Sequence, residues 1–144
     1  MNRPLLLFAL IALIHTTVHG QTTANFELLR EYVGQEKVDA LIADQPEKAK
    51  FLAFWNEHGY YVAEIPPGKT VDYSGHVSEI EPLYSTTPLP DETAMESKTW
   101  GVLGYDFGAS EITRYFQMSN GKMLVVLPES IVRRLYTQKN KQTQ

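Results

Sequence analysis

Two histidines and three neighbouring carboxylates are the residues of this sequence best suited to bind a metal ion. His58 and His76 are the only histidines after residue 20, and Glu57, Glu79 and Glu81 lie close to them along the chain. Both histidines have simpler explanations, because His58 falls at a predicted helix end and His76 follows a Ser-Gly pair, as loop histidines commonly do. The chain has no cysteine, which excludes disulfides, thiolate zinc sites, iron–sulfur clusters and cysteine nucleophiles. We therefore predict neither a metal site nor a cofactor.

Pairs of carboxylates offer a second kind of chemistry. Glycoside hydrolysis needs two carboxyl groups about 5–10 Å apart. Glu79 and Glu81 would lie on one face of a strand, and Asp91, Glu92 and Asp106 are further candidates. However, the chain has 17 acidic residues, so close pairs are expected by chance, and the sequence has neither a phosphate-binding loop nor a nucleophile elbow. We predict that the protein is not an enzyme, with a carboxylate-based hydrolase as a less favoured alternative.

Acidic and aromatic residues are concentrated between residues 72 and 111. Lys98 is the only basic residue of that stretch, which contains eight carboxylates. Tyrosine and tryptophan are enriched at protein interfaces, although they also form strands readily, so most of these rings are expected to be structural. We predict that the other aromatic rings, together with nearby carboxylates, form an interaction surface. Its candidate residues are Tyr73, Tyr84, Asp91, Glu92, Trp100, Tyr105 and Asp106.

The charge of the chain is unevenly distributed. Residues 21–111 contain 6 basic and 16 acidic residues, whereas residues 112–144 contain 6 basic and 1 acidic. Such a separation favours a basic protein partner on the acidic region, although acidic loops also simply keep a small protein in solution. Nucleic acid is not a predicted partner of the basic segment, because the chain begins with an export signal.

The first 20 residues have the pattern of a cleaved signal peptide. Arg3 precedes an uninterrupted apolar run of ten residues, Leu5 to Ile14, and Val18-His19-Gly20 offers a cleavage site before Gln21. The run is shorter than the roughly 20 residues that span a bilayer, and no later segment is long and apolar enough to do so. The alternative is a hydrophobic first helix of the domain. Because cysteines and Asn-x-Ser/Thr sites are both absent, the periplasm is favoured over an extracellular location.

Helical patterns dominate the first third of the remaining chain. A first helix begins after Asn25, a good N-cap, and continues to Gly34. A second short helix ends near Asp44, and a third extends from about Pro46 to Glu57.

Strand patterns follow from residue 60. We predict strands over residues 60–65, 76–80, 99–107, 112–118 and 122–127, with a surface loop over 85–97. Met123 to Leu127 is apolar without alternation, which is typical of a central strand. Asn120-Gly121 favours a type I′ hairpin turn, and a final helix begins at Glu129.

These elements predict one α+β domain over residues 21–138, followed by a polar tail, 139–144. It would consist of two or three N-terminal helices, an antiparallel β-meander with an Asn-Gly hairpin, and a C-terminal helix. The predicted function is a non-catalytic, exported envelope protein that binds another protein or serves as an accessory subunit of an envelope complex. The alternative is a small-ligand or glycan-binding module that uses surface aromatics, for which the candidates are Tyr60, Tyr61, Tyr73, Tyr84, Trp100, Tyr105 and Tyr115.

Overall fold

The computed structural model of the protein describes residues 24–108 and 111–144. The predicted signal peptide, residues 1–20, therefore lies outside the described residues. Within the described ranges, no helix combines the length and the apolar character needed to cross a membrane. The fold is α+β, as predicted, with helices first, a strand-rich middle and a closing helix.

The three predicted N-terminal helices are confirmed. They are α1 (Phe26–Val33), α2 (Gln35–Asp44) and α3 (Pro46–His58). The Asn25 side chain accepts a hydrogen bond from the Leu28 backbone N–H at 3.1 Å, so it caps α1 as expected of this residue type. The three helices pack on one another around a small buried cluster made of Leu29, Val38 and Ala53.

The rest of the chain forms two small sheets and two further helices. The elements are β1 (Tyr60–Glu64), β2 (Gly75–His76), β3 (Glu81–Pro82), α4 (Glu92–Glu96), β4 (Tyr105–Asp106), β5 (Arg114–Gln117), β6 (Lys122–Val126) and α5 (Glu129–Gln142). The larger sheet has the order β1-β6-β5-β2, and β3 pairs with β4 in the smaller one. The buried residues Leu124, Val125 and Val126 make β6 a central strand, as predicted.

The predicted antiparallel meander is wrong in its connections. β2 pairs parallel to β5, and β1 lies beside β6 rather than beside its neighbour in sequence. Residues 76–80, predicted as extended, instead contain a 3-10 turn over Val77–Glu79. The cause is a local capping box, in which the His76 ring accepts from the Ser78 backbone while the Glu79 carboxylate accepts from the His76 backbone N–H.

The turn between β5 and β6 also differs from the predicted type. A type I′ turn needs positive φ at both central residues, but Gly121 is the only residue of this turn with a positive φ, 78°. The Asn120 side chain accepts a hydrogen bond from the Lys122 backbone N–H at 3.1 Å. The Asn120 side chain therefore stabilises the turn, although the Asn120 backbone is not in the left-handed conformation.

Two further boundaries differ from the sequence prediction. The predicted loop 85–97 contains α4, because Asp91 accepts hydrogen bonds from the backbone N–H groups of Thr93 and Ala94 and so caps a short helix. The predicted polar tail, 139–144, is largely helical, since α5 continues to Gln142.

Lys98 ends α4 in a strained conformation that a substitution can relieve. Its φ of 59° is the only positive value at a non-glycine residue in the described chain. The N–H groups of Lys98 and Thr99 bond to the carbonyls of Met95 and Ala94, the Schellman arrangement in which glycine is preferred. The left-handed conformation costs an ordinary residue about 1–2 kcal/mol, whereas glycine adopts it freely. Glycine also raises the conformational entropy of the unfolded chain, which offsets part of this gain. Lys98→Gly should therefore raise the free energy of unfolding, measured in urea, by about 0.5–1 kcal/mol.

The matched control is Lys98→Ala, which removes the charge but keeps the strained backbone. It should bring no gain in stability. An equal gain in both variants would show that removal of the charge, and not relief of the backbone, stabilises the protein.

His58 at the end of α3 links the stability of the fold to pH. Its ring lies 4.5 Å from that of Phe54, and partial burial lowers the pKa of His58. The folded chain protonates His58 less readily than the unfolded chain does. The contribution of neutral His58 to stability is therefore fully present above its ordinary pKa of about 6.5, and it is lost as the pH falls through the lowered pKa of the folded state. We expect unfolding midpoints to fall between pH 8 and pH 5 less steeply in His58→Gln than in the wild type. Identical slopes would contradict this assignment.

Candidate functional site

Two residues of the predicted interaction surface belong to the core. Trp100 is completely buried and Tyr105 is 3% exposed. Their rings stack at 4.8 Å, and the indole N–H donates to the Tyr105 hydroxyl at 3.1 Å. That hydroxyl in turn donates to the Pro88 carbonyl at 2.9 Å. Both rings therefore hold the centre of the domain together, and the prediction that they form a surface is wrong.

The core tyrosines are also unsuited to proton transfer at neutral pH. Burial raises the pKa of Tyr105, and it raises the pKa of Tyr60 to about 12. Both hydroxyls therefore stay protonated under ordinary conditions. The Tyr60 hydroxyl has no hydrogen-bond partner in the described chain, and its ring meets Trp100 edge-on at 5.1 Å.

Asp91 and Glu92 of the predicted surface have local structural contacts. Asp91 caps α4, and the Glu92 carboxylate accepts from the Ser119 backbone N–H at 2.6 Å. Glu96, one turn later, bonds to the Asn120 amide and pairs with the Lys122 ammonium at 3.3 Å. This side of the acidic region thus attaches α4 to the turn between β5 and β6, and its carboxylates are engaged within the protein.

The tyrosines of the predicted surface lie elsewhere. Tyr73 is half-buried in the connection between β1 and β2. Tyr84 is also half-buried, and the Lys37 ammonium lies 4.1 Å from the centre of its ring. Because two of the seven predicted residues are buried, the set as a whole is not a surface. The remaining residue of the set, Asp106, lines two pockets.

Asp106 lies at the edge of an apolar pocket, a cavity of about 240 Å³. Leu83 and Ile112 are 52% and 59% exposed and form its lips. The lining residues are Trp55, Leu83, Val102, Leu103, Tyr105, Asp106, Phe107, Gly108, Ile112, Arg114, Val126 and Leu127. The volume lies below the roughly 300–1,000 Å³ typical of cofactor and drug sites, so one or two side chains would fill it.

Hydrogen bonds at the end of α3 set the walls of this apolar pocket. The buried Asn56 accepts from the Leu103 backbone N–H at 2.9 Å through its side chain, and from the Val102 N–H at 3.0 Å through its carbonyl. The Leu83 backbone N–H donates to the Gly104 carbonyl at 2.7 Å, which continues the pairing of β3 with β4. Leu83 is thus fixed at the rim by backbone pairing and not by burial of its side chain.

An acidic pocket of about 370 Å³ adjoins the apolar one. The two share four lining residues: Asp106, Phe107, Gly108 and Arg114. Glu79 and Glu81 complete the charged lining, so three carboxylates face one guanidinium there. The structure therefore brings together three of the five candidate carboxylates for hydrolysis, Glu79, Glu81 and Asp106, whereas Asp91 and Glu92 do not line this pocket.

Backbone contacts already occupy two of these three carboxylates. Glu79 accepts from the His76 N–H at 2.5 Å, and Asp106 accepts from the Gly108 N–H at 2.8 Å. Glu81 lies directly across from Asp106 in the pairing of β3 with β4. Among the described residues, no group of three or more histidines and carboxylates could hold a metal ion. What the arrangement offers is an apolar recess beside fixed negative charge.

Sequence reasoning missed Leu83, Ile112 and Arg114. Leu83 and Ile112 are single apolar residues within polar segments, and nothing local distinguishes them from buried residues. In the sequence, Arg114 is one of six basic residues in the C-terminal segment 112–144, and nothing local marks it as part of a site. A search for isolated large apolar residues within the acidic stretch would have found Leu83, although it would equally have found Leu89, which lines neither pocket.

Comparison of the chain with protein-family models, with curated proteins and with solved structures gives no match.

Proposed function

We propose that this protein is a non-catalytic binding protein that receives a segment of another protein in its apolar pocket. The observation that carries the proposal is the exposure of Leu83 and Ile112 at the lips of a recess whose floor is already apolar. Exposed apolar residues scattered singly are ordinary, whereas residues grouped around a cavity are typical of interaction sites.

Energetics favour a protein segment over a small molecule in this pocket. Burial of one aliphatic or aromatic side chain contributes about 1.5–3 kcal/mol. Even millimolar affinity requires about 4 kcal/mol, so contacts outside the recess must add to the binding energy. The charged lining of the adjoining acidic pocket supplies a place for them. A partner that spans both pockets satisfies this requirement.

The cellular setting of the proposal is the bacterial envelope. Its support is the sequence pattern of residues 1–20, with cleavage before Gln21. Expression with the native N-terminus, followed by intact-mass measurement of the exported protein, tests this directly. The mass should correspond to a chain that begins at Gln21 or its cyclised form. A full-length mass in the cell interior would contradict it.

Affinity capture from native envelope extracts tests the binding function. The wild type should recover a consistent protein partner after mild cross-linking. Ile112→Ser should lose that partner, because it removes an apolar lip of the pocket. The matched control is Leu89→Ser, since Leu89 is 78% exposed and lines neither pocket. Equal recovery by both variants would contradict a role for the apolar pocket.

A second candidate function, binding of a glycan, is favoured by a row of side chains across the larger sheet. Tyr61 and Tyr115 lie on either side of Val125 in the strand register, so all three share one face. Tyr61 is 44% exposed, whereas Val125 is completely buried. Tyrosine rings on a sheet face suit stacking against a sugar. Binding to a glycan array that Tyr61→Ser abolishes and Ile112→Ser leaves intact would support this function over the first.

A further inference from the structure

We infer that the segment received by the apolar pocket carries an apolar side chain flanked by lysine or arginine, and that the basic side chain lies over the acidic pocket and pairs with Glu81. This inference rests on the proposed function, since it specifies the partner that the apolar and acidic pockets fit. It goes beyond that function by fixing the sign of the charge that must lie beside the apolar residue.

The position of the two pockets sets the spacing of the segment. They adjoin through Asp106, Phe107, Gly108 and Arg114, so a chain that fills one passes directly over the other. At Gly108 an added Cβ would lie 2.8 Å from a guanidinium nitrogen of Arg114, which places that side chain against the glycine backbone on the boundary between the pockets. In an extended segment successive side chains point to opposite sides, whereas side chains two positions apart point the same way and lie about 6.6 Å from each other, so an apolar residue and a basic residue at positions i and i+2 reach both pockets.

Glu81 is the carboxylate most available to a ligand. Glu79 and Asp106 each accept a backbone N–H, from His76 and Gly108, which fixes their orientation. Glu81 is exposed on a two-residue strand. Glu81 forms no ion pair with another described residue, whereas the acidic residues around α4 are paired or used in capping. A cation in the partner would therefore meet Glu81 first.

Charge complementarity selects a basic partner over an acidic or neutral one. Three carboxylates and one guanidinium line the acidic pocket. The stretch 72–111, which supplies those carboxylates, has eight acidic residues and one lysine. An acidic segment would be repelled at long range, whereas a basic segment is attracted before contact and loses affinity as salt is added.

Peptide display on the purified full-length protein tests the inference. The probe is a library of random heptapeptides, selected on the wild type, on Glu81→Lys and on Glu36→Lys. Glu36 is an exposed residue of α2 that lines neither pocket, so it controls for the change in net charge. We expect the wild type and Glu36→Lys to enrich one apolar residue with lysine or arginine two positions away. Glu81→Lys should lower the affinity for a selected peptide about tenfold.

The outcomes separate failure of the inference from failure of the proposed function. Peptides that lose binding in Ile112→Ser but carry neutral or acidic flanks would overturn the inference and leave the protein-binding function standing. Absence of any peptide sensitive to Ile112→Ser, together with no partner in affinity capture, would overturn both. Sedimentation of the purified protein alone tests whether a second copy of this chain fills the apolar pocket. A dimer that Ile112→Ser dissociates would show that it does, and this result would also overturn the inference.

Discussion

Trp100→Ala is expected to lower the free energy of unfolding by about 3–5 kcal/mol, the range for truncation of a buried tryptophan. The indole is completely buried and contacts three aromatic rings, those of Tyr60, Tyr105 and Phe107. Loss of the indole would leave a cavity at the centre of the domain. It would also remove the N–H group that donates a hydrogen bond to the Tyr105 hydroxyl. A loss of this size is a large part of the roughly 5–15 kcal/mol that stabilises an ordinary domain.

Urea unfolding followed by circular dichroism measures this loss. Tyr61→Ala is the matched control, because Tyr61 is 44% exposed on the other side of β1 and should cost about 1 kcal/mol or less. Tyr105→Phe keeps the ring but removes both hydrogen bonds of the hydroxyl, from the indole N–H and to the Pro88 carbonyl, at a cost of about 1–3 kcal/mol. A loss below 2 kcal/mol for Trp100→Ala would contradict the central position of this residue.

Gly101→Ala is expected to lower the free energy of unfolding by about 1–3 kcal/mol. A Cβ at residue 101 would overlap both terminal atoms of the Asn56 side chain. Asn56 cannot easily move away, because it is completely buried and its oxygen accepts from the Leu103 N–H. The added methyl group would therefore press on Asn56, and through Asn56 on Leu103 in the wall of the apolar pocket.

A double-mutant cycle with Asn56→Ala tests whether the overlap is the cause. Asn56→Ala alone should destabilise the fold, because it leaves the Leu103 N–H without its acceptor. In that background the added methyl at residue 101 has room, so the cost of Gly101→Ala should fall by at least about 1 kcal/mol. The same cost in both backgrounds would place the effect of Gly101→Ala in the backbone instead.

The helices could be predicted because their signals are local. Asn25 ahead of α1, Pro46 at the start of α3 and Gly59 just after it each act through contacts within one turn of the chain. The central position of β6 was likewise predictable from its unbroken apolar run. The partners of the strands were not, because β1 and β2 become the two edges of the sheet through contacts distant in sequence.

The strand predicted over 99–107 shows where local reasoning failed. Aromatic and aliphatic residues favour a strand there, and two glycines within a strand, Gly101 and Gly104, are typical of a bulge or a close backbone approach. The close approach is what the structure contains: each glycine packs against a side chain, Asn56 or Thr87, that leaves no room for a Cβ. Only Tyr105–Asp106 remains as a strand.

The candidate site was predictable only in part, for the same reason. Asp106, Glu79 and Glu81 were identified as charged residues, but their grouping depends on the pairing of β3 with β4. Burial removed Trp100 and Tyr105 from the predicted surface, since an aromatic residue in a strand pattern suits a core and an interface equally well. The lips of the apolar pocket could not be predicted, because exposure of Leu83 and Ile112 is a property of the folded chain.

Site-specific photo-cross-linking in the native envelope tests the central claim most directly. A photoreactive amino acid replaces Ile112 at the lip of the apolar pocket in one variant and Leu89, which is more exposed but lines neither pocket, in the other. We expect a discrete cross-linked protein product from position 112, and little or none from position 89. Equal products from both positions, or a product from position 89 alone, would contradict a binding function for the apolar pocket.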